Sequence, residues 1–230
     1  MTSLRHLAAV ALIMMAAAAA ADEAPESWDG LVQVKPKRMD AAYLLPGADF
    51  RPYTKLMIDP TQVAFNKDWM KSINDDTRDM SRKVTDADAA KILEAARSNF
   101  DDVFQEAFQK AGYEVVKTPG PDVLRVLTAV ANLYLNAPDT LTPGRSRTYT
   151  ANAGEATLIL EVRDSVTGAL LARAFDRRQT RDSMGSTSSV TNVNDFRALF
   201  GQWAGITIKG LGELKELSPV PMDLKPKQKL

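Results

Sequence analysis

The chain has 230 residues, and its 29 basic side chains balance its 29 acidic ones, with the two signs interspersed along the sequence. Nucleic-acid-binding proteins usually gather a basic surplus on one face, so this balance argues against them and we expect no nucleic-acid partner. The chain has no cysteine, and its one histidine is His6. This composition excludes disulfides, thiolate nucleophiles and the usual zinc ligands. We therefore assign no catalytic residue, no metal site and no cofactor.

The first 21 residues are typical of a cleaved secretory signal. Arg5 and His6 supply a positive start, and the uncharged stretch 7–21 ends in small residues that a signal peptidase recognises. A membrane-spanning helix needs about 20 apolar residues, so we expect no stable membrane insertion. We predict cleavage after Ala21. The alternative, an alanine-rich N-terminal helix of a cytosolic protein, is disfavoured because Asp22 begins a polar segment.

The predicted location is the periplasm. A lipid-anchored bacterial protein needs a cysteine at the cleavage point, so we expect no lipid anchor. After residues 1–21 we divide the chain into an irregular lead-in (22–50), a single α+β domain (51–217) and a flexible tail rich in proline and lysine (218–230). The lead-in has no hydrophobic period and contains the basic cluster Lys35, Pro36, Lys37 and Arg38.

The predicted elements of the domain begin with a short strand at 53–59. Thr85 and Asp88 form a weak capping-box pattern that predicts the start of a helix. From 86 to 111 apolar residues recur every three or four positions, which indicates an amphipathic helix, and Gly112 supplies its left-handed stop. This helix is the clearest element in the sequence.

The second half of the domain has mainly strand patterns. Residues 123–135 alternate and are rich in β-branched side chains, which predicts a long strand. Residues 154–180 form two apolar runs around an Asp-Ser-Val-Thr-Gly turn, which predicts a hairpin. A mobile Ser/Thr/Asn loop is expected at 183–194, followed by an amphipathic helix that ends before Pro219.

This order predicts an α+β fold, with a four- or five-stranded, mainly antiparallel sheet and two long amphipathic helices packed on one face. In the hairpin we place Val162 opposite Leu170, which puts Arg177 opposite Glu155. The sheet face away from the helices then carries a half-apolar patch that needs a cover. Two covers stay open: the lead-in, or a protein partner or second copy of the chain. The predicted binding residues of this patch are Tyr134, Ile159, Leu171, Arg173 and Phe175.

Three other patterns are weighed as sites. The acidic residues between 75 and 88 lack the spacing of a calcium loop and are expected to be a solvated loop and helix start. Gly210-Leu211-Gly212 lies within a helix, so it is not a dinucleotide motif, and we expect close packing or a bend there. Asp176-Arg177-Arg178 has two interpretations, an anion site or cross-strand ion pairing, and ion pairing is favoured.

Three segments resemble one family: "YTKLMIDPTQV", "LEVRDSVTGALLARAFDRR" and "DFRALFGQWAGITIKGLGEL". Together they are similar to the bacterial domain-of-unknown-function family 3313, over about residues 53–217. The resemblance implies a secreted protein, and no activity comes with it. Members are commonly described as lipoproteins, whereas this chain has alanines where the lipidated cysteine would be.

The sequence therefore predicts an exported periplasmic protein of unknown molecular function, with a non-enzymatic cell-envelope binding or accessory role. The alternative is a carboxylate-dependent hydrolase that acts on envelope glycans. Neither hypothesis is tied to a motif in the sequence.

Overall fold

A computed structural model describes residues 25–77, 80, 83–135, 154–180 and 189–229, and describes side chains in the last range from Phe196 onward. The predicted signal segment lies outside these ranges. The described residues form ten strands and three helices. The strands are β1 (Ser27–Trp28), β2 (Leu31–Lys35), β3 (Ala41–Leu44), β4 (Lys55–Ile58), β5 (Gln62–Phe65), β6 (Glu114–Val115), β7 (Val123–Leu135), β8 (Gly154–Asp164), β9 (Leu170–Gln179) and β10 (Gln228–Lys229). The helices are α1 (Trp69–Asp76), α2 (Asp86–Lys110) and α3 (Ser189–Leu217).

All ten strands belong to one mixed sheet in the order β1-β2-β3-β9-β8-β7-β4-β6. Strand β10 pairs in parallel with β2, and β5 pairs in parallel with β7 beyond the end of β4. The predicted four- or five-stranded, mainly antiparallel sheet with two helices is therefore wrong, although the fold is α+β. The strand predicted at 53–59 is confirmed as β4. The missed strands β1, β2, β3, β5 and β10 are two to five residues long, which is too short for a period-two pattern to stand out.

The lead-in is part of the sheet and is not irregular. Trp28 pairs with Leu31 across a tight turn in which Asp29 and Gly30 have φ of 53° and 80°. Positive φ at both central residues matches the right-handed twist of the flanking strands, and glycine adopts it without steric cost. Strands β2 and β3 then continue antiparallel and join the hairpin at β9.

The C-terminal tail is also ordered against the domain. The Ser218 hydroxyl accepts a hydrogen bond from the Phe50 backbone N–H at 2.8 Å, and the Val220 N–H donates to the Ala48 carbonyl oxygen at 2.8 Å. The side chains of Val220 and Leu224 are buried, and β10 ends the described chain beside β2. The tail, which the sequence predicts to be flexible, therefore packs on the domain through two buried apolar side chains, Val220 and Leu224.

Helices α2 and α3 pack against each other and against one face of the sheet. The Thr85 and Asp88 side chains form the predicted capping box, in which each accepts a hydrogen bond from the other's backbone N–H. The start of α2 is therefore confirmed. Helix α3 begins at Ser189, so the predicted loop at 183–194 is wrong from 189 onward, and 183–188 lie outside the described residues.

The hairpin register differs from the predicted one by two residues. Val162 lies opposite Ala172, and a bulge leaves Leu171 as the unpaired residue. A two-residue shift keeps each side chain on its face, but the bulge brings Leu171 into the main core under the helices. Arg177 lies opposite Thr157, yet its guanidinium reaches Glu155 diagonally at 2.8 Å. The register is wrong, whereas the ion pair forms.

We expect the tail to contribute to stability through Val220. Changing Val220, which is 1 % exposed, to Ser should lower the free energy of unfolding by about 1.5–3 kcal/mol, because it removes a buried apolar side chain. The matched control is Met222→Ser, at a side chain 79 % exposed, which should change it by less than about 0.5 kcal/mol. Urea denaturation checks both variants. Equal effects would contradict a docked tail.

Candidate functional site

A cavity of about 410 Å³ lies between the sheet and the C-terminal half of α3. Its floor is the helix-facing side of five strands, and its roof is the α3 segment 206–217 with Phe108 of α2 at one end. Apolar side chains supply most of both surfaces: Val34, Leu44, Leu124, Val126, Leu160 and Val162 below, and Ile206, Leu211, Leu214 and Leu217 above.

The cavity exists because small residues meet beneath α3. Ala42 and Ala174 lie directly opposite each other on β3 and β9, and Ala172 lies opposite Leu44. On the roof, a Cβ built on Gly210 would meet no heavy atom within 4 Å. Of the two expectations for Gly210, close packing is therefore wrong, and a bend in the helix stays a prediction. The space is open to solvent on the side of the β2–β3 loop, whose exposed residues Lys37 and Arg38 line it.

The interior of the cavity offers no free charge among its described lining residues. The Thr207 hydroxyl donates to the Trp203 carbonyl oxygen at 2.8 Å, so its proton is already used within α3. Arg173 also borders the cavity, but its guanidinium lies on the other face of the sheet, beside Trp28, where it binds Glu161 and Asp29. A molecule inside would therefore contact mainly hydrocarbon.

The rim, by contrast, is charged. It is formed by Lys35 at the end of β2, by Lys37 and Arg38 of the β2–β3 loop, and by Glu213 and Glu216 of α3. The Arg38 guanidinium donates to Glu213 Oε1 at 2.8 Å, and Lys37 Nζ lies 3.7 Å from Glu213 Oε2. The hydrogen bond from Arg38 holds the pKa of Glu213 below its ordinary value. The loop and the helix are thus linked across the rim.

The predicted patch residues lie in several environments. Ile159 and Phe175 belong to one buried cluster with Leu31, Tyr43, Ala129 and Ala131, on the sheet face away from the helices. Arg173 lies beside them, with its guanidinium 4.2 Å from the centre of the Trp28 ring, and Trp28 stacks on Phe175. The lead-in therefore covers this face, and it does so through Trp28, Leu31 and Tyr43.

The other two patch residues lie elsewhere. Leu171 is in the main core, and the Tyr134 hydroxyl is 3.0 Å from the Ser72 hydroxyl of α1. A bulge in β7, at which Asn132 has a φ of 52°, precedes Tyr134 and changes its direction. The structure thus brings together three of the five residues and buries them within the chain. Their role in binding a partner stays a prediction.

The other sequence patterns have structural roles. Asp88 caps α2, and no group of three or more metal-ligating side chains occurs in the described parts of the chain; Asp79 lies outside them. Arg177 binds Glu155, and Arg178 binds Asp176, so the favoured ion-pairing interpretation is confirmed. Within the same ranges, no helix is both long and apolar enough to cross a membrane.

Sequence reasoning did not find the cavity. The basic cluster at 35–38 was visible, but its partner Glu213 is 175 positions from Arg38. The available signal was the alternation of alanines at 172 and 174 in a strand whose neighbour β8 carries leucine and valine on the same face. Small residues in one strand beside large ones in the next indicate uneven filling of a core.

The family of the chain follows from a family-level comparison. A family described as "Protein of unknown function (DUF3313)" matches residues 21–206. This chain belongs to that family. No functionally curated protein matches it.

Solved structures with a similar chain path share little sequence with this protein. A PelC dodecamer from Paraburkholderia phytofirmans is 9% identical with a TM-score of 0.32, covering 72% of this chain and 96% of that one. An uncharacterized protein is 10% identical with a TM-score of 0.41, covering 71% and 96%. Protein XCC0632 from Xanthomonas campestris, of family DUF330, is 11% identical with a TM-score of 0.36, covering 80% and 95%. Similarity at this level carries no functional conclusion.

We expect the Arg173–Glu161 ion pair to stabilise the packing on the sheet face away from the helices. Both side chains are at most 5% exposed and their atoms lie 2.7 Å apart. Glu161→Leu should cost up to about 3–5 kcal/mol of unfolding free energy, because the buried guanidinium keeps only the more exposed Asp29 as its ionic partner. Adding Arg173→Met should recover most of the loss.

Arg177→Met is the matched control for this prediction. It breaks an ion pair whose arginine is 66% exposed, so it should cost no more than about 1 kcal/mol. Urea denaturation of the three variants measures the difference. A double variant no more stable than Glu161→Leu alone would contradict the expected coupling.

Proposed function

We propose that this protein is an exported, non-enzymatic cell-envelope protein that binds an elongated apolar molecule in the cavity beneath α3. The observation that carries the proposal is the cavity itself, at about 410 Å³ with mainly apolar walls. Ligand pockets typically have roughly 300–1,000 Å³ of volume, predominantly apolar linings and a few polar groups that fix orientation. Among the described lining residues, the charged side chains of the rim supply these polar groups.

Export is part of this proposal, and the N-terminal sequence supports it. Residues 1–21 combine a positive start, an apolar stretch and a small-residue end, which is the pattern of a secretory signal. The periplasm is the proposed location, since the chain contains no cysteine that could carry an acyl anchor.

The alternative, a glycan hydrolase, has no specific observation in its favour. Its general acid would need a carboxyl group whose pKa is raised. At the rim the pKa of Glu213 is lowered instead, because Arg38 stabilises the carboxylate. The same direction holds for the pKa values of Asp49, Glu94, Asp122 and Asp164 among the described residues.

Filling the cavity should weaken the binding of an apolar probe. Gly210→Leu places a branched side chain in the cavity, whereas Gly201→Leu adds the same side chain to the exposed side of α3, where a Cβ also meets nothing within 4 Å. We expect N-phenyl-1-naphthylamine fluorescence to show saturable binding by the wild type and by Gly201→Leu, and at least tenfold weaker binding by Gly210→Leu. No saturable binding by the wild type, or equal loss in both variants, would contradict the proposal.

The export proposal predicts that the protein recovered from cells begins at Asp22. The signal segment should be removed during translocation, and the mature chain should be released by osmotic shock. Intact-mass measurement of the released protein identifies its first residue. A chain that retains residues 1–21 and sediments with membranes would overturn the proposed location.

A further inference from the structure

We infer that the ligand is an amphiphile with one apolar chain and an anionic head group, and that Arg38 and Lys37 bind this head group in exchange for Glu213. The inference rests on the proposed function and names its ligand class. The apolar chain would occupy the cavity beneath α3. The head group would stay at the rim between the β2–β3 loop and the helix.

The position of the head group follows from where charge is available. Inside the cavity the Thr207 hydroxyl already donates to the Trp203 carbonyl oxygen, and the Arg173 guanidinium lies on the other face of the sheet, beside Trp28. Burying a charged head group there would therefore leave it unpaired at high cost. At the rim the lining contains three basic side chains against two acidic ones. A monoanionic head neutralises that excess of one positive charge, whereas a cationic head would add to it.

The present partner of Arg38 and Lys37 is easily exchanged. The exposed fractions of the side chains are 49% for Lys37, 38% for Arg38 and 39% for Glu213. Ion pairs this accessible to water contribute little net free energy, since solvent competes for both partners. An anionic head delivered by an apolar chain therefore competes with Glu213 at small cost, and the released carboxylate remains hydrated.

The loop backbone is fixed while its basic side chains are left to change partner. Arg178 Nη2 donates to the Arg38 carbonyl oxygen at 3.0 Å, and Asp176 holds the Arg178 guanidinium. Asp176 in turn accepts a hydrogen bond from the Trp203 indole of α3 at 2.7 Å. The rim is thereby positioned relative to the cavity roof. The backbone that carries Arg38 is therefore held without depending on Glu213.

The test compares three ligands with the same chain, below their micelle concentrations: lauric acid, dodecanol and dodecyltrimethylammonium. Isothermal titration calorimetry at neutral pH should show laurate binding at least tenfold tighter than dodecanol, with the cation weakest. In Lys37→Gln/Arg38→Gln the ratio of laurate to dodecanol affinity should fall to near one. In Glu213→Gln laurate should bind several-fold tighter, because the competing carboxylate is gone.

Lys71→Gln is the matched control, because it removes an exposed positive charge on α1 and should leave the ratio unchanged. Similar affinities for all three ligands, or an unchanged ratio in Lys37→Gln/Arg38→Gln, would overturn the inference and leave the cavity proposal standing. Absence of saturable binding by every ligand would overturn the cavity proposal itself. A further titration with lauroyl lysophosphatidylglycerol separates the two sources of such ligands: tighter binding than laurate assigns a phospholipid, and weaker binding a free fatty acid.

Discussion

A buried carboxylate, Asp176 on β9, holds the C-terminal helix to the sheet. It is 2% exposed, and it accepts a hydrogen bond from the Trp203 indole, which is fully buried on α3. Arg178 pairs with the same carboxylate. A buried charge is tolerated only when it is paired and hydrogen-bonded, so the two strand residues and the tryptophan must stay together. Hydrogen bonds to charged groups are also the stronger ones, at about 1.5–3 kcal/mol.

This attachment determines where the core is full and where it is empty. On the N-terminal side of Trp203, the large side chains Phe196, Leu199 and Phe200 are all buried. Beyond Trp203, α3 passes over the small residues of β3 and β9, and its own Gly210 adds no side chain. The helix is kept in place by its tightly packed half, so its second half cannot collapse onto the alanines. Incomplete relaxation around small residues is what leaves a cavity in a protein core.

The sequence predicts those helices and strands whose hydrophobic pattern continues over many consecutive residues. Helix α2 has a capping box and 25 residues of regular spacing, and β7 has 13 residues of β-branched alternation. The lead-in strands are short and are separated by prolines, so they have little local pattern. The pairing of β3 with β9 joins residues more than a hundred positions apart, which a local pattern does not predict. The bulge at Leu171 has no local marker, and it changed both the hairpin register and the face of that residue. The Arg38–Glu213 link across the rim is equally non-local.

The apolar surface of the described residues is largely covered by the chain itself. The lead-in already covers the second sheet face, because Trp28 stacks on Phe175 and lies over the Arg173 guanidinium. Among the described residues the exposed large apolar side chains are Met80, Val166 and Met222, which lie far apart in sequence and belong to separate loops. Stable protein interfaces need an apolar centre of contiguous residues. The half-open cavity beneath α3 has mainly aliphatic walls and a basic rim, and these two properties are what support the proposed binding of a single amphiphilic chain.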